Sequence, residues 1–465
     1  MGEVGFRMAC PPEAYRQRRA RLAAGLRRPM VLLSGNAPAR DYAANPYPFL
    51  ASSTYLYFGG PPIENAALVI EPGSDGDEGC ELFRQAREPD DLVWLGNVPS
   101  DERLAGAAGL GAHRVATTDR LASRPAAGAA CCICPPFPEA LRWALEAGLQ
   151  QADNDELLLV VDMRLCKDDH ELEAMRRAAD VGVEAQLAAM RATQPGRREA
   201  DVAAALTEVL VAHECTPSFT PIITTAGEVL HATGYSSVLK PGQLVLVDAG
   251  AETPTGYTSD MTRTWPVSGE WSDVQRHLYD TVWRAQAEAI AACVPGRRFR
   301  DIHDLAAKVI CEGLIEAELL RGDPAELTQR YAHTLFFCHG LGHLIGLDVH
   351  DMEDFGDLAG YAPGRTRRPE FGNKFLRLDR DLEPGMCVTI EPGVYLNPAI
   401  WARDDLVGPL ADVVNRPKVD ALLKERFGGI RIEETVCILQ HGGPEILTET
   451  LPNDPDAVAV LAGAA

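Results

Sequence analysis

Three apolar strands in this chain end on acids, and that narrows its folds sharply. Gln243-Leu-Val-Leu-Val runs into Asp248, and Met386-Cys-Val-Thr-Ile runs into Glu391, after which Pro392-Gly393 turns the chain away. Ile430-Arg431-Ile432 runs into Glu433. Burying a lone carboxylate is costly unless it is paired or bound to a cation. Asp260 adds a fourth acid, after the turn-rich Gly256-Tyr-Thr-Ser259. Strand period two puts Asp260, Thr262 and Thr264 on one face, so a hairpin is expected to deliver Asp248 and Asp260 from adjacent strands. Each acid alone reads as an ordinary strand-end cap; four together require a common polar site.

The histidines fit that site. His339-Gly-Leu-Gly-His343 is too glycine-rich for a plain helix, and its glycines favour close backbone packing. His350 follows seven residues after His343. Three imidazoles beside acid-bearing strands suit one ligand plus proton or hydrogen-bond donors. Alternation puts Arg431 on the face of Glu433, where it would orient an acid or bind an oxyanion. Four carboxylates and one imidazole are too many for a single tetrahedral zinc with an open position. They suit two divalent ions sharing carboxylates, an arrangement that activates water for hydrolysis. Oxygen-rich ligands favour manganese, with cobalt, iron or zinc as other candidates.

A length of 465 residues exceeds what one core usually holds, so two domains are expected. The formal net charge of −23 repels nucleic acid and anionic membranes. The start has no signal-peptide pattern and no apolar run reaches a membrane span, so a cytoplasmic location is expected. Twelve cysteines are scattered, and most read as core thiols. The cluster Cys131-Cys132-Ile133-Cys134 lacks partner ligands at metal spacing and reads as a proline-bounded loop or short strand.

In the first 165 residues, a helix is expected over 12–27 and strands at Met30-Val-Leu-Leu-Ser, Ser53-Thr-Tyr-Leu-Tyr-Phe58 and Ala66-Ala-Leu-Val-Ile70. Pro/Ala/Gly-rich stretches over 124–137 read as loops. Leu158 to Lys167 reads as the boundary. Helices are then expected over about Asp169–Met190, Glu199–Ala212, Ser272–Ala292 and Arg300–Leu319, with strands at 243–248, 386–391 and 429–438. The expected organisation is an α/β domain over 1–165 and an α+β domain over 166–465. No internal repeat is visible by eye.

Taken together these motifs resemble the proline-peptide branch of the pita-bread metallopeptidases, aminopeptidase P (Xaa-Pro aminopeptidase) and prolidase (Xaa-Pro dipeptidase). The likeness covers nearly the whole chain. The metal set alone would also fit methionine aminopeptidase. The long N-terminal region, His339-Gly-Leu-Gly-His343 and Asp348-Val-His350-Asp351 favour the proline branch, and Tyr47-Pro-Phe-Leu-Ala-Ser-Ser-Thr-Tyr-Leu-Tyr-Phe-Gly resembles the aminopeptidase P N-domain. The resemblance implies a pita-bread catalytic domain of duplicated helix-strand halves behind a smaller α/β domain. It implies Asp248, Asp260, His343, Glu391 and Glu433 as ligands of two divalent ions, with Asp260 and Glu433 bridging and Glu391 also shuttling a proton. His231, His339 and His350 match family histidines near the substrate, and Arg431 matches an arginine beside the bridging glutamate. A homodimer is the assembly it implies.

Three departures stand out. Asp248 and Asp260 are twelve apart where eleven is expected. Leu50 stands where an arginine is expected. Glu353 to Phe375, with its Arg365-Thr-Arg-Arg patch, is longer than expected and is placed at the cleft mouth or a subunit contact. None removes a ligand.

For the substrate, proline-containing peptides are implied, because a bond to proline lacks an N–H and needs a dedicated pocket. Arg377 lies near where prolidases hold the substrate carboxylate, a task suited to a bidentate guanidinium; a surface arginine is the plain alternative. The N-domain favours Xaa-Pro aminopeptidase, with prolidase as the alternative. A metal-free binding module is the remote one, since such relatives have lost several ligands and this chain keeps a candidate at all five positions.

Overall fold

The computed structural model describes residues 6–42, 44–94, 96, 99–121, 130–136 and 138–463. Two compact units divide the chain: one runs to Leu165 and takes in 254–256 and 354–358, and the other holds the remainder.

In the first unit, Met30–Leu33 (β1) and Ala67–Ile70 (β2) are buried at every position. Continuous apolar runs form strands where both faces are covered. Cys80–Arg84 (β3), Val115–Thr117 (β4), Cys131–Ile133 (β5) and Gln150–Gln151 (β6) complete a six-stranded sheet in the order β4-β3-β2-β1-β5-β6. β2 runs antiparallel to β1, and β5 parallel. Cys131 and Cys132 are therefore buried strand residues. Residues 124–129 and 137 of the expected loops lie outside the described residues; 131–133 form β5.

Ser53–Phe58 is a correction. Its aromatic alternation suggests a strand, yet Ser53–Tyr57 is a short helix. Gly59, at φ +87°, ends it as a left-handed cap that other residues adopt only under strain. The turn buries Tyr55, Tyr57 and Phe58, and the Tyr57 hydroxyl donates to the Met163 carbonyl at 2.7 Å. Tertiary burial overrides β-propensity here. Leu158–Asp162 likewise belongs to a helix, Asn154–Arg164, started by an Asp153/Glu156 capping box.

The second unit pairs helices behind strands. A capping box of Asp168 and Glu171 starts helix Asp169–Ala192, which packs on helix Glu199–Ala212. Ser272 and Gln275 start helix Asp273–Ala291, which packs on helix Phe299–Glu316. The strands are Thr216–Pro217 (β7), Ile222–Thr224 (β8), Leu244–Asp248 (β9), Ala251–Glu252 (β10), Thr262–Pro266 (β11), Cys387–Ile390 (β12), Gly393–Tyr395 (β13), Gly429–Arg431 (β14), Glu434–Cys437 (β15) and Glu445–Ile446 (β16). They assemble as β11-β9-β8, β12-β15-β16, β13-β14 and β10-β7.

The expected single strand over 429–438 is two. β14 pairs with β13 and β15 with β12, and the break falls at Ile432-Glu433. Freed from its own ladder, the Glu433 N–H donates to the Thr262 carbonyl at 3.0 Å. The Glu433 carbonyl accepts from Arg263 Nη1 at 2.7 Å.

The two long helices each carry a buried glutamine that reaches a strand end. Gln186 donates to the carbonyls of Val247 and Met261, the neighbours of Asp248 and Asp260. Gln286 donates to the carbonyl of Ile390, the neighbour of Glu391. In each half, one helix pins the strand end that carries the acids.

Candidate metal centre and substrate cavity

Hairpin β9–β11 pairs Asp248 with Thr262 directly across the ladder, so Asp260 lies just beyond it on the same edge. β12 presents Glu391 and the β14–β15 break presents Glu433. His343 reaches the site because Gly342 has no side chain. A Cβ at Gly342 would lie 1.9 Å from the Thr389 carbonyl oxygen, so only glycine lets this segment run against β12. The His343 N–H then donates to Thr389 Oγ1 at 3.1 Å, and the Thr389 N–H donates back to the His343 carbonyl at 3.0 Å.

All five acids and imidazoles line one cavity of about 740 Å³, and so do His231, His339, His350, Arg377 and Arg431. Donor atoms of Asp260, His343 and Glu433 lie within 4.8 Å of one another. The Leu344 carbonyl can only accept, so the His343 Nδ1 at 2.9 Å from it carries the ring proton. Nε2 therefore faces Asp260 Oδ2 at 3.5 Å and Glu391 Oε1 at 3.8 Å, and carries a proton between them unless a cation takes that place. Asp248 Oδ1 and Asp260 Oδ1 are buried without a hydrogen-bond partner. The donor set thus fits divalent cations on its chemistry and geometry.

The electrostatics agree. Burial, with Asp248 adding, pushes Asp260 up to about 6. Burial, with Asp260 and Asp248 adding, pushes Glu391 up to about 7. Glu433 is raised well above its ordinary value by burial and the same acids. Burial opposes charging His343, yet the Asp260 and Glu391 carboxylates outweigh it and raise the imidazole. Cations among these groups would relieve every one of these shifts.

A second layer orders the wall. Arg431 Nη2 pairs with Asp248 Oδ2, Nε donates to Thr262 Oγ1 at 3.1 Å, and Nη1 donates to the Tyr395 hydroxyl at 3.0 Å. Thr262 Oγ1 donates onward to Glu433 Oε2 at 2.7 Å. Tyr395 donates to His339 Nε2 at 2.8 Å, and His339 Nδ1–H donates to the Gly340 carbonyl at 2.7 Å. Every proton in this relay has one direction. Burial, with Arg431 adding, lowers His339 to about 3, so its ring is neutral. His350 stacks edge-on against His343, centroids 4.3 Å apart, and burial lowers it to about 2. His231 is exposed on a turn whose Glu228 carbonyl accepts from Asn397 Nδ2 at 2.8 Å. Arg377 pairs with Glu353 at the cavity wall.

Sequence reasoning missed Tyr395 and Asn397. Tyr395 sits four residues past Glu391, on the strand opened by the Pro392-Gly393 turn, and a strand aromatic reads as core.

The family model "Metallopeptidase family M24" matches residues 173–440, and "Aminopeptidase P, N-terminal domain" matches 15–129. A Xaa-Pro aminopeptidase of Haemophilus influenzae is 28% identical over 97% of both chains. Xaa-Pro aminopeptidase 2 of Streptomyces coelicolor is 30% identical, covering 92% of this chain and 86% of that one. Among solved structures, aminopeptidase PepP of Pseudomonas aeruginosa superposes with a TM-score of 0.80 at 26% identity, covering 98% of this chain and 99% of that one. Zinc-substituted Escherichia coli aminopeptidase P in complex with product gives 0.79 at 25% identity, covering 100% and 99%.

Proposed function

Because the chain belongs to metallopeptidase family M24, we propose that it is a metal-dependent Xaa-Pro aminopeptidase, removing the first residue from peptides with proline second. The single observation that carries this reading is the convergence of Asp248, Asp260, His343, Glu391 and Glu433 on one cavity, with His343 Nε2 facing the acids and two unpartnered oxygens buried there. We take 1–165 as the N-terminal domain and 166–465 as the catalytic one.

Those five side chains, Asp260 and Glu433 among them, would hold two divalent ions. Such ions, when bound, supply Lewis acidity and make water a nucleophile at neutral pH. Manganese is our first assignment, on the oxygen-rich donor set.

The chain's own groups do the rest. Glu391 takes a proton from the attacking water on a carboxylate oxygen and gives it to the proline nitrogen as the peptide bond breaks, so that the ring leaves as an amine. His350, held neutral, offers an N–H to the scissile carbonyl oxygen as negative charge develops there. His339 is fixed in one tautomer by Tyr395 and Gly340 and presents a rigid neutral face to the peptide. Arg431 pairs with Asp248 and orients Thr262 on Glu433. His231, on its exposed turn at the cavity, contacts the substrate.

Prolidase activity is the second reading, favoured by the Arg377 guanidinium in the cavity wall, which could take a dipeptide's carboxylate. Comparing turnover of Ala-Pro with that of Ala-Pro-Gly separates the two. Cleavage of both supports the aminopeptidase, cleavage of the dipeptide alone supports prolidase, and cleavage of neither by metal-loaded protein rejects both. Among the described residues no helix is long and apolar enough to cross a membrane. A cytoplasmic homodimer is our proposal for its setting.

A further inference from the structure

Loop residues 359–376 close one side of the cavity with side chains that neither metal binding nor the acid-base chemistry uses. Phe371 and Phe375 line the cavity with their rings 6.3 Å apart and edge-on. Phe375 is 46% exposed, although folding normally buries phenylalanine. Cations surround the pair. Arg403 lies 5.7 Å over the Phe371 ring and Lys374 5.1 Å over the Phe375 ring. Arg367 and Arg377 line the same cavity.

Charge sets the direction of a peptide beside this wall. A peptide carries an ammonium at its start and a carboxylate at its end. Arg377 is matched by Glu353 and Arg403 by Asp405, while the cavity's acids Asp248, Asp260, Glu391 and Glu433 gather at the metal centre, so the ammonium start is drawn to that centre and the basic wall faces the segment after the scissile bond. One extended residue advances the chain by roughly 3.5 Å, so the residue after proline lies only some 7 Å from the reacting carbonyl. A cavity of about 740 Å³ accommodates a tripeptide with that residue inside it.

We propose that Phe371 and Phe375 form a subsite for the residue that follows proline, taking an aromatic or bulky apolar side chain and disfavouring a basic one. The inference rests on the Xaa-Pro reading and adds a substrate preference to it. An exposed aromatic pair gains contact area and edge-to-face attraction from an incoming ring, whereas glycine offers neither. A lysine there would meet the guanidinium groups.

The test uses the full-length, manganese-loaded protein. kcat/KM for Ala-Pro-Phe is expected to exceed that for Ala-Pro-Gly by roughly two- to twelvefold, the range of one added aromatic pair, with Ala-Pro-Lys below both. Phe375→Ala is expected to bring the Phe-to-Gly ratio below two, and Phe375→Leu to keep part of it. Calorimetric binding of the dipeptides Pro-Phe and Pro-Gly reads the same preference without turnover. Equal affinity for the two, or a ratio that survives Phe375→Ala, overturns the subsite. Absence of cleavage with a retained binding preference overturns the peptidase reading and leaves the subsite standing.

Discussion

Replacing Tyr395 with phenylalanine removes one oxygen and tests the ordering of the cavity wall. Tyr395 is fully buried. Its hydroxyl accepts from Arg431 Nη1 at 3.0 Å and donates to His339 Nε2 at 2.8 Å. Phenylalanine keeps the ring packing and leaves a guanidinium N–H and an imidazole lone pair without partners. An unsatisfied buried polar group costs about 1–3 kcal/mol, so the two together cost about 2–4 kcal/mol, since cavity water reaches one side. In a domain of this size 1 kcal/mol moves Tm by roughly 2–3 °C. Thermal melts of the metal-loaded protein should therefore show a fall of about 4–12 °C. His339 would retain only its bond to the Gly340 carbonyl, and a group misplaced by about 1 Å can cost as much as a hundredfold in rate. Steady-state kinetics on Ala-Pro-Gly should show kcat down by about ten- to a hundredfold. A double-mutant cycle with Arg431→Lys should give a coupling of about 0.5–3 kcal/mol, because both substitutions break the same chain of bonds. A melt within 1 °C of the parent, unchanged kcat and no coupling would refute the relay.

Other expectations concern the acids and the imidazole above them. Asp260→Ala and Glu391→Ala should each abolish hydrolysis while a folded circular dichroism spectrum persists; near-normal turnover with added manganese would count against the metal assignment. His350→Ala should lower kcat far more than it raises KM, because its N–H is used in the transition state, and a change confined to KM would contradict that role. Asp260 and Glu391, at about 6 and about 7 in the folded chain, lie above their ordinary values of 3.8 and 4.5. In metal-stripped protein their contribution to stability is thus fully present below about pH 4 and is lost as pH rises through 6 and 7. Metals bind the ionised forms, so the rise in Tm on adding manganese should be larger at pH 7.5 than at pH 5; equal rises at both would argue that these carboxyls are not ligands.

Much of this arrangement is legible in the chain because burial penalises charge. Acids that end apolar strands advertise a shared site, and the structure brings Asp248, Asp260, Glu391 and Glu433 into one cavity. Helix starts are legible where side chains cap them, as at Asp168 and Ser272. What escapes the sequence is decided by partners far along the chain. Ser53–Tyr57 coils because Tyr55 and Tyr57 are buried and Gly59 ends the turn, a choice that local propensity does not contain. The break at Ile432-Glu433 exists because Thr262, some 170 positions earlier, accepts the Glu433 N–H. Tyr395 takes its role from Arg431 and His339, neither of which is near it in sequence. The roles of Gln186 and Gln286 escape the sequence too, since the carbonyls they hold lie some 60 to 100 positions further along the chain.

The measurement that bears most directly on the central claim is anomalous diffraction from crystals of the manganese-loaded protein. Two peaks are expected inside the cavity, one pair per chain, both within ligand distance of the carboxylates and with His343 Nε2 on one of them. A single peak, or manganese bound elsewhere while the cavity stays empty, would contradict the two-metal account and the hydrolytic chemistry built on it.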